Sequence, residues 1–571
     1  MSRECYLGID IGTGSARAGL FDAAGDLLAM STHPIRIWKP EADVTEQSSA
    51  DIWQATCTAV REAVASAGVG PAQVRGIGFD ATCSMVILGE GDQPLPASPD
   101  GPSEQNIIVW MDHRAKSEAE EITATGHEVL QFVGGVMSAE MQTPKLLWLK
   151  RFNPRTWQSA TAFFDLSDWL VYRATGRDVR SGCTTTCKWT WQAQPGSSGE
   201  PIGWSDAFFR EIGLEELADQ QYAPIGSEIR AVGEAVGEGL TAGAASDLGL
   251  NPGTPVSTGI IDAHAGGLGL LGIGSDLDGA SSSDEASSPD GASSSDAASS
   301  IEERLALIGG TSSCHMAVSS EPRFIDGVWG PYFSAMVPGM WLTEGGQSAT
   351  GALVDHIIFS SWHGEILRKQ AEEESTTVYE LLNRRLEIMS RKEGVEHLSM
   401  LTQDLHVLPY FHGNRSPRAD ASLVGSIWGL TLSSDLDDLA RLYLAAIQAI
   451  AYGTRHIIET MNGNGYRIRQ IVATGGGAKN DLFLQVHADV CGCPITLPRQ
   501  GEAVLLGSAV LGAVAAGRWP TVREAMERMN QPGRQIEPEE GEVRAYHEAK
   551  YRIFHKMHED TLPYFSIMEA Y

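Results

Sequence analysis

The sequence predicts an α/β protein made of two versions of one unit, each a mixed sheet flanked by helices, with a crevice between them. Three observations carry this. The chain opens in strand–strand–strand–helix–strand order. Its opening layout, an apolar strand, a Gly-Thr-Ser turn and an alternating strand, recurs ~300 residues later. At 571 residues the chain is too long for a single core.

Residues 6–11 and 16–21 read as half-buried strands: Ile9 and Ile11 flank Asp10, and Ala16, Ala18 and Leu20 alternate after a tight turn. Runs at 27–33 and 74–79 supply a third and a fourth strand, separated by an amphipathic helix at 49–67. Antiparallel strands entering a mixed sheet follow from that order. The first turn, Gly12-Thr13-Gly14-Ser15, holds more glycine and hydroxyl than a hairpin needs. Successive backbone N–H groups in such a turn can converge on a phosphate oxygen, with the Thr13 and Ser15 hydroxyls as further donors. Asp10 suits a Mg²⁺ ion beside that phosphate, held through water. A plain hairpin with polar turn residues is the competing reading.

The second unit begins near Arg304, where residues 305–319 (L-A-L-I-G-G-T-S-S-C-H-M-A-V-S) copy the opening. Gly310, Thr311 and Ser312 give a second phosphate turn, so two hairpins could grip one polyphosphate from opposite halves. Ile308 stands where Asp10 stands in the first copy, so one copy alone carries the acid. Further on, an apolar strand from Ile471 runs into Gly475-Gly476-Gly477-Ala478, and a helix starts at Asn480 or Asp481, both good N-caps. Glycines there let a flat ring approach the backbone, and the helix N-terminus adds positive potential. This glycine cluster is not G-x-G-x-x-G, which disfavours a dinucleotide fold, and no G-x-x-x-x-G-K-S/T is present, which disfavours a P-loop. Between the halves, 274–300 is rich in Ser and Ala, carries six acids and no base, and repeats G-A-S-S-S-D. It is expected to be a disordered surface insertion.

A net charge of −31 argues against nucleic acid as a partner, because a phosphate backbone rewards clustered Lys and Arg. It argues equally against an anionic membrane surface. The opening M-S-R-E-C leads straight into a strand, leaving no room for a signal peptide, and the apolar run at 503–517 is too short and glycine-rich to span a bilayer. A cytoplasmic protein is expected. The eight cysteines are scattered; Cys183-x3-Cys187 and Cys491-x-Cys493 depart from the usual zinc spacings, with no His pair beside either. They are expected to be reduced thiols.

Two phosphate hairpins and a strand–Gly-Gly-Gly–helix element resemble the superfamily of actin, sugar kinases and heat-shock chaperones, with duplicated ribonuclease H-like (actin-like ATPase) domains. More narrowly the chain resembles the FGGY carbohydrate kinases. W-M-D-H-R-A (110–115), K-L-L-W-L (145–149), G-I-I-D-A-H-A-G (259–266) and G-N-R-S-P-R-A-D (413–420) match that family. Within it the ribulokinase group is the most similar. The resemblance implies ATP with Mg²⁺ as cofactors and a small sugar as substrate. It further implies an N-terminal domain at 1–267 holding sugar and the first hairpin, and a C-terminal domain at 301–571 holding the second hairpin and adenosine. A homodimer is left open.

Asp262 follows two isoleucines and precedes Ala263-His264-Ala265-Gly266, a strand end running into a helix start. A carboxylate there can take the proton of a substrate hydroxyl as it attacks the γ-phosphorus; the bland alternative is a helix cap. The family resemblance places the catalytic aspartate at this position; His264 is expected to pack there or to support the site from behind. It also implies a sugar cleft lined by Asp80, Ala81, Thr82, Trp110, Asp112, Lys188, Glu344 and Asp262 itself. Trp110 would pack on the sugar and Asp112 would bond its hydroxyls, while core packing rivals the former role. D-ribulose is the expected acceptor, with L-ribulose, xylulose, a pentitol or glycerol as alternatives. Outside this class stand an actin- or chaperone-like ATPase and a sugar-binding scaffold without chemistry.

Overall fold

The computed structural model describes residues 4–274 and 301–568, so nearly all of the expected insertion lies outside the described residues. The first sheet has the order Ile260–Ile261, Val74–Ala81, Cys5–Ile11, Ser15–Asp22, Leu27–Pro34. Cys5–Ile11 is buried throughout, parallel to Val74–Ala81 on one side and antiparallel to Ser15–Asp22 on the other. Ile260–Ile261 extends the sheet in parallel beyond Asp80 and Ala81. The helix Ser49–Ala67 is capped by Ser48, whose side chain accepts from the Asp51 N–H, and ends at Gly68 in the left-handed region. Its apolar face (Ile52, Trp53, Ala59, Val60) covers Ser15–Asp22 and Leu27–Pro34.

The second half repeats this topology. Arg304–Gly309 is antiparallel to Ser313–Ser319, which is antiparallel to Trp341–Gln347; on its other side Arg304–Gly309 is parallel to Gln470–Gly475, and that strand to Ile495–Pro498. Trp329–Phe333 and Pro532–Ile536 add the two edges of a seven-stranded sheet. Each parallel fifth strand feeds a helix, Asp262–Leu271 in the first half and Ala503–Ala515 in the second. These two helices pack on each other, and Ala503–Ala515 also lies on the first sheet. The approach is close enough to require glycine: a Cβ on Gly8 would stand 2.0 Å from the Leu505 carbonyl oxygen, and one on Gly507 1.8 Å from that of Ala265. One large buried cluster therefore runs through both halves, joining Leu268 and Ile260 to Ala306, Met316 and Leu505.

The apolar run near 503 forms this buried helix, and among the described residues no helix is long and apolar enough to cross a membrane. A second sheet in the first half, ordered Trp38–Glu41, Val44–Gln47, Ile107–Ile108, Met85–Gly89, Ala160–Asp165, brings the Trp110 loop towards the first hairpin.

Candidate active site

Parallel pairing aligns Asp10 with Asp80 on neighbouring strands, and Asp262 begins the helix just beyond the strand that flanks Asp80. Three carboxylates thus gather at one end of the first sheet. Burial, and then the charge of Asp10, push Asp80 well above the ordinary carboxylate range. The same two causes raise Asp262 to about 6. Arg17 pairs with Asp10 and, at 3.1 Å, with Glu502; the Ser508 hydroxyl donates to Asp80 at 2.5 Å. Glu502 and Ser508 belong to the second half, so both halves meet at these acids. One oxygen of Asp10 and one of Asp80 are buried without a hydrogen-bond partner among the described residues. Hard, unpartnered carboxylate oxygens among like charges fit a Mg²⁺ ion.

Asp262 is half-buried; its Oδ1 accepts the Ala263 N–H at 2.7 Å, and Oδ2 has no partner among the described residues. The N-cap of this helix is Ile261, so Asp262 spends one oxygen on the amide next to it and leaves the other available to a proton.

Both turns form as expected. Gly12 N–H donates to the Ser15 carbonyl, and the Gln47 side chain donates to the Thr13 carbonyl at 2.8 Å. The Trp110 indole N–H donates to Thr13 Oγ1 at 3.0 Å, and Trp110 N–H to Ser84 Oγ at 3.1 Å. Trp110 is half-buried, packed against the core while also steadying the turn. Thr82 N–H donates to the Ile11 carbonyl, which draws Ala81 and Thr82 to the same strand ends. In the second half, Gly310 and Thr311 are exposed, and their carbonyls are held by the N–H groups of Thr350, Gly351 and Ala352. Thr474 pairs with Ile308, so the second copy lacks counterparts of both Asp10 and Asp80.

Gly475 ends its strand at φ 96, where a Cβ would lie 2.2 Å from the Gly309 carbonyl oxygen. Gly476, Gly477 and Ala478 follow as a short turn, and Asn480 caps the helix Asp481–Cys491, its side chain accepting from the Leu482 N–H at 3.1 Å. That side chain also bonds Asn383 and the Tyr443 hydroxyl, two partners the sequence did not single out.

Lys188, at the end of the helix Gly182–Trp189, is buried with its Nζ 4.6 Å from the Trp329 ring centroid and no carboxylate partner among the described residues. Arg415 stands over the same ring at 5.4 Å and bonds Glu140 at 3.1 Å. The Tyr332 hydroxyl is buried without a hydrogen-bond partner among the described residues, within electrostatic reach of Lys188 and Glu344. Glu344 bonds His264 Nε2 at 3.2 Å, and Cys183 Sγ lies 3.1 Å from His264 Nδ1. Burial alone would raise Glu344, but His264 holds it at about 2. Burial alone would lower His264, yet Cys183 and Glu344 lift it to about 10. Asp262, Lys188 and His264 come from the first half and Glu344, Trp329, Tyr332 and Arg415 from the second, so this polar group spans the crevice.

Asp112 is a correction. It is fully buried, and its two oxygens accept from the Thr45 N–H at 2.6 Å, from Arg114 N–H at 3.0 Å and from the Arg114 guanidinium at 2.8 Å. Arg114 also bonds Glu46 at 2.9 Å. The carboxylate is consumed in fixing its own loop and has nothing to offer a sugar hydroxyl. None of the cysteines forms a disulfide among the described residues, in line with reduced thiols, but Cys183 and Cys187 meet His264, which lies 81 residues beyond Cys183 and so is invisible to local spacing.

The N-terminal-domain model of the FGGY family of carbohydrate kinases matches residues 5–269, and the C-terminal-domain model residues 305–516. An FGGY carbohydrate kinase domain-containing protein of Homo sapiens is 47% identical over 564 residues, covering 99% of this chain and 98% of that protein. A D-ribulokinase of Saccharomyces cerevisiae is 39% identical over 545 residues, covering 94% of this chain and 75% of its own length. A xylulose kinase structure from Rhodospirillum rubrum superposes with a TM-score of 0.74 at 20% identity, covering 99% and 100% of the two chains.

Proposed function

We propose, from the premise that this chain belongs to the FGGY family of carbohydrate kinases, that it passes the γ-phosphoryl group of ATP to a ketopentose, D-ribulose foremost, giving D-ribulose 5-phosphate. The observation that carries this is Asp262: a half-buried carboxylate with one unpartnered oxygen, where side chains of both halves converge. The yeast D-ribulokinase at 39% identity supports ribulose over the other pentuloses.

In this reading the sugar lies among Lys188, Glu344, Tyr332 and Trp110. Lys188 and Tyr332, both buried, donate to its oxygens, and the Tyr332 hydroxyl has no other partner among the described residues. Desolvated donors of this kind reject a ligand that leaves them unpaired. The acceptor hydroxyl faces Asp262, which takes its proton as the oxygen attacks phosphorus in line, a contribution of about 10²–10⁴-fold. Amides of Thr13–Ser15 and Thr311–Ser312 hold the phosphate oxygens from opposite sides, while those of Gly12 and Gly310 close the turns. The Gly475–Ala478 turn, with Asn480 behind it, receives adenosine. Asp10 and Asp80 would hold Mg²⁺, whose charge offsets that of the triphosphate. The crevice keeps water from the phosphoryl group.

A coupled ADP-release assay with MgATP across D-ribulose, L-ribulose, D-xylulose, ribitol and glycerol tests the reading. The highest kcat/KM is expected for D-ribulose. A clear preference for another acceptor would refute the assigned substrate, and no sugar-dependent release would refute the kinase.

A further inference from the structure

The Cys183, Cys187 and His264 group lies outside the proposed phosphoryl-transfer chemistry. Four residues apart on the helix Gly182–Trp189, the two thiols project from one face. The helix Asp262–Leu271 brings His264 against them, and all three side chains are buried. The three donor atoms, both Sγ and one imidazole nitrogen, lie within 4.8 Å of one another. Tetrahedral Zn²⁺ with bonds of about 2.3 Å to sulfur and about 2.0 Å to nitrogen needs donor separations of roughly 3.5 Å, which small side-chain adjustments reach. A second observation points the same way. His264 turns Nδ1 towards Cys183 and Nε2 towards the Glu344 carboxylate at 3.2 Å. A metal-bound imidazole characteristically donates its other N–H to a carboxylate, which fixes the ring.

We propose that Cys183, Cys187 and His264 form a binding site for a soft, thiophilic cation, Zn²⁺ or Cu⁺, with Glu344 orienting the histidine from behind. Soft sulfur donors with one imidazole select such ions over Mg²⁺ or Ca²⁺. With Zn²⁺ the two thiolates balance the metal's charge. Through Glu344 and the adjoining Lys188, occupancy reaches the side chains facing the sugar. The site stands independently of the acceptor's identity, because its test reads metal and not turnover.

Protein prepared with added Zn²⁺, and separately with Cu⁺ under reducing conditions, is dialysed and its metal content measured by mass spectrometry. One equivalent of either ion is expected, and the ion retained identifies the occupant. Co²⁺ in place of Zn²⁺ is expected to give thiolate-to-metal charge-transfer absorption. Cys187→Ser and His264→Asn should each weaken binding by at least ~10-fold and Glu344→Gln by about 10–100-fold, while Cys491→Ser leaves it unchanged. Circular dichroism confirms that each variant is folded. Wild-type protein that retains neither ion and gives no charge-transfer band overturns the proposal, as does loss of the band in Cys491→Ser but not in Cys187→Ser.

Discussion

Asp112 and Lys188 are both buried charges, and their surroundings give them opposite fates. Asp112 meets Arg114 in a fully satisfied ion pair, whereas Lys188 faces an aromatic ring and no carboxylate among the described residues. Breaking the pair with Asp112→Asn should cost about 3 kcal/mol of stability, at the lower end for a buried pair because Glu46 still faces the guanidinium. Sugar KM should change little. Lys188→Met should do the reverse, raising sugar KM by roughly 10–100-fold with the melting temperature and ATP KM held. Thermal melts beside steady-state kinetics check both. If Asp112→Asn selectively raises sugar KM in a protein that melts normally, the correction made for Asp112 is wrong.

At the scale of elements, the strand Ser313–Ser319 and the helix Asp481–Cys491 bury two histidines near each other. His315 sits with Nε2 3.0 Å from Thr454 Oγ1, and His487 Nδ1 donates to the Phe483 carbonyl at 2.8 Å. Burial, and then the charge of His487, lower His315 to about 3; burial lowers His487 to about 4. In the unfolded chain both take up protons near pH 6.5. The unfolded state therefore binds more protons between about pH 6.5 and the folded values, and stability is lost on acidification through that window. The melting temperature of His315→Gln/His487→Gln should fall less than that of the wild type between pH 7.5 and pH 5.5. Parallel curves would show that these rings do not carry the effect.

Elements were the most legible part of the chain. The helix at 49–67 forms with the predicted bounds, and the strand at 74–79 extends only to Ala81, because alternation and caps are local signals. The two turns and the Gly475–Gly477 stretch were legible for the same reason. Side-chain partners across the crevice were not: Arg17 meets Glu502 485 residues away, and Ser508 reaches Asp80 across 428. Tyr332 carries no motif at all; only burial without a partner marks it. Asp112 misled because a short motif gives residue type and spacing without saying which neighbours already occupy the carboxylate.

For the whole molecule, duplication explains why one end of the first sheet is acidic and its counterpart is not. Asp10 and Asp80 have Ile308 and Thr474 as equivalents, and Ile308 packs near Gly266 of the helix that begins with Asp262. One copy carries two carboxylates at this end of its sheet, and the other carries Ile308 and Thr474 beside the Gly475–Ala478 turn. The halves are joined by Ala503–Ala515, second-half by chain order and packed on the first sheet, so Asp262 sits where they meet. Turnover of Asp262→Asn with MgATP and D-ribulose, measured beside ATP binding by titration calorimetry, tests this arrangement most directly. A fall in kcat of about 10²–10⁴-fold with ATP affinity retained is the predicted result. Wild-type turnover in that variant would leave Asp262 merely the first residue of its helix and contradict the account.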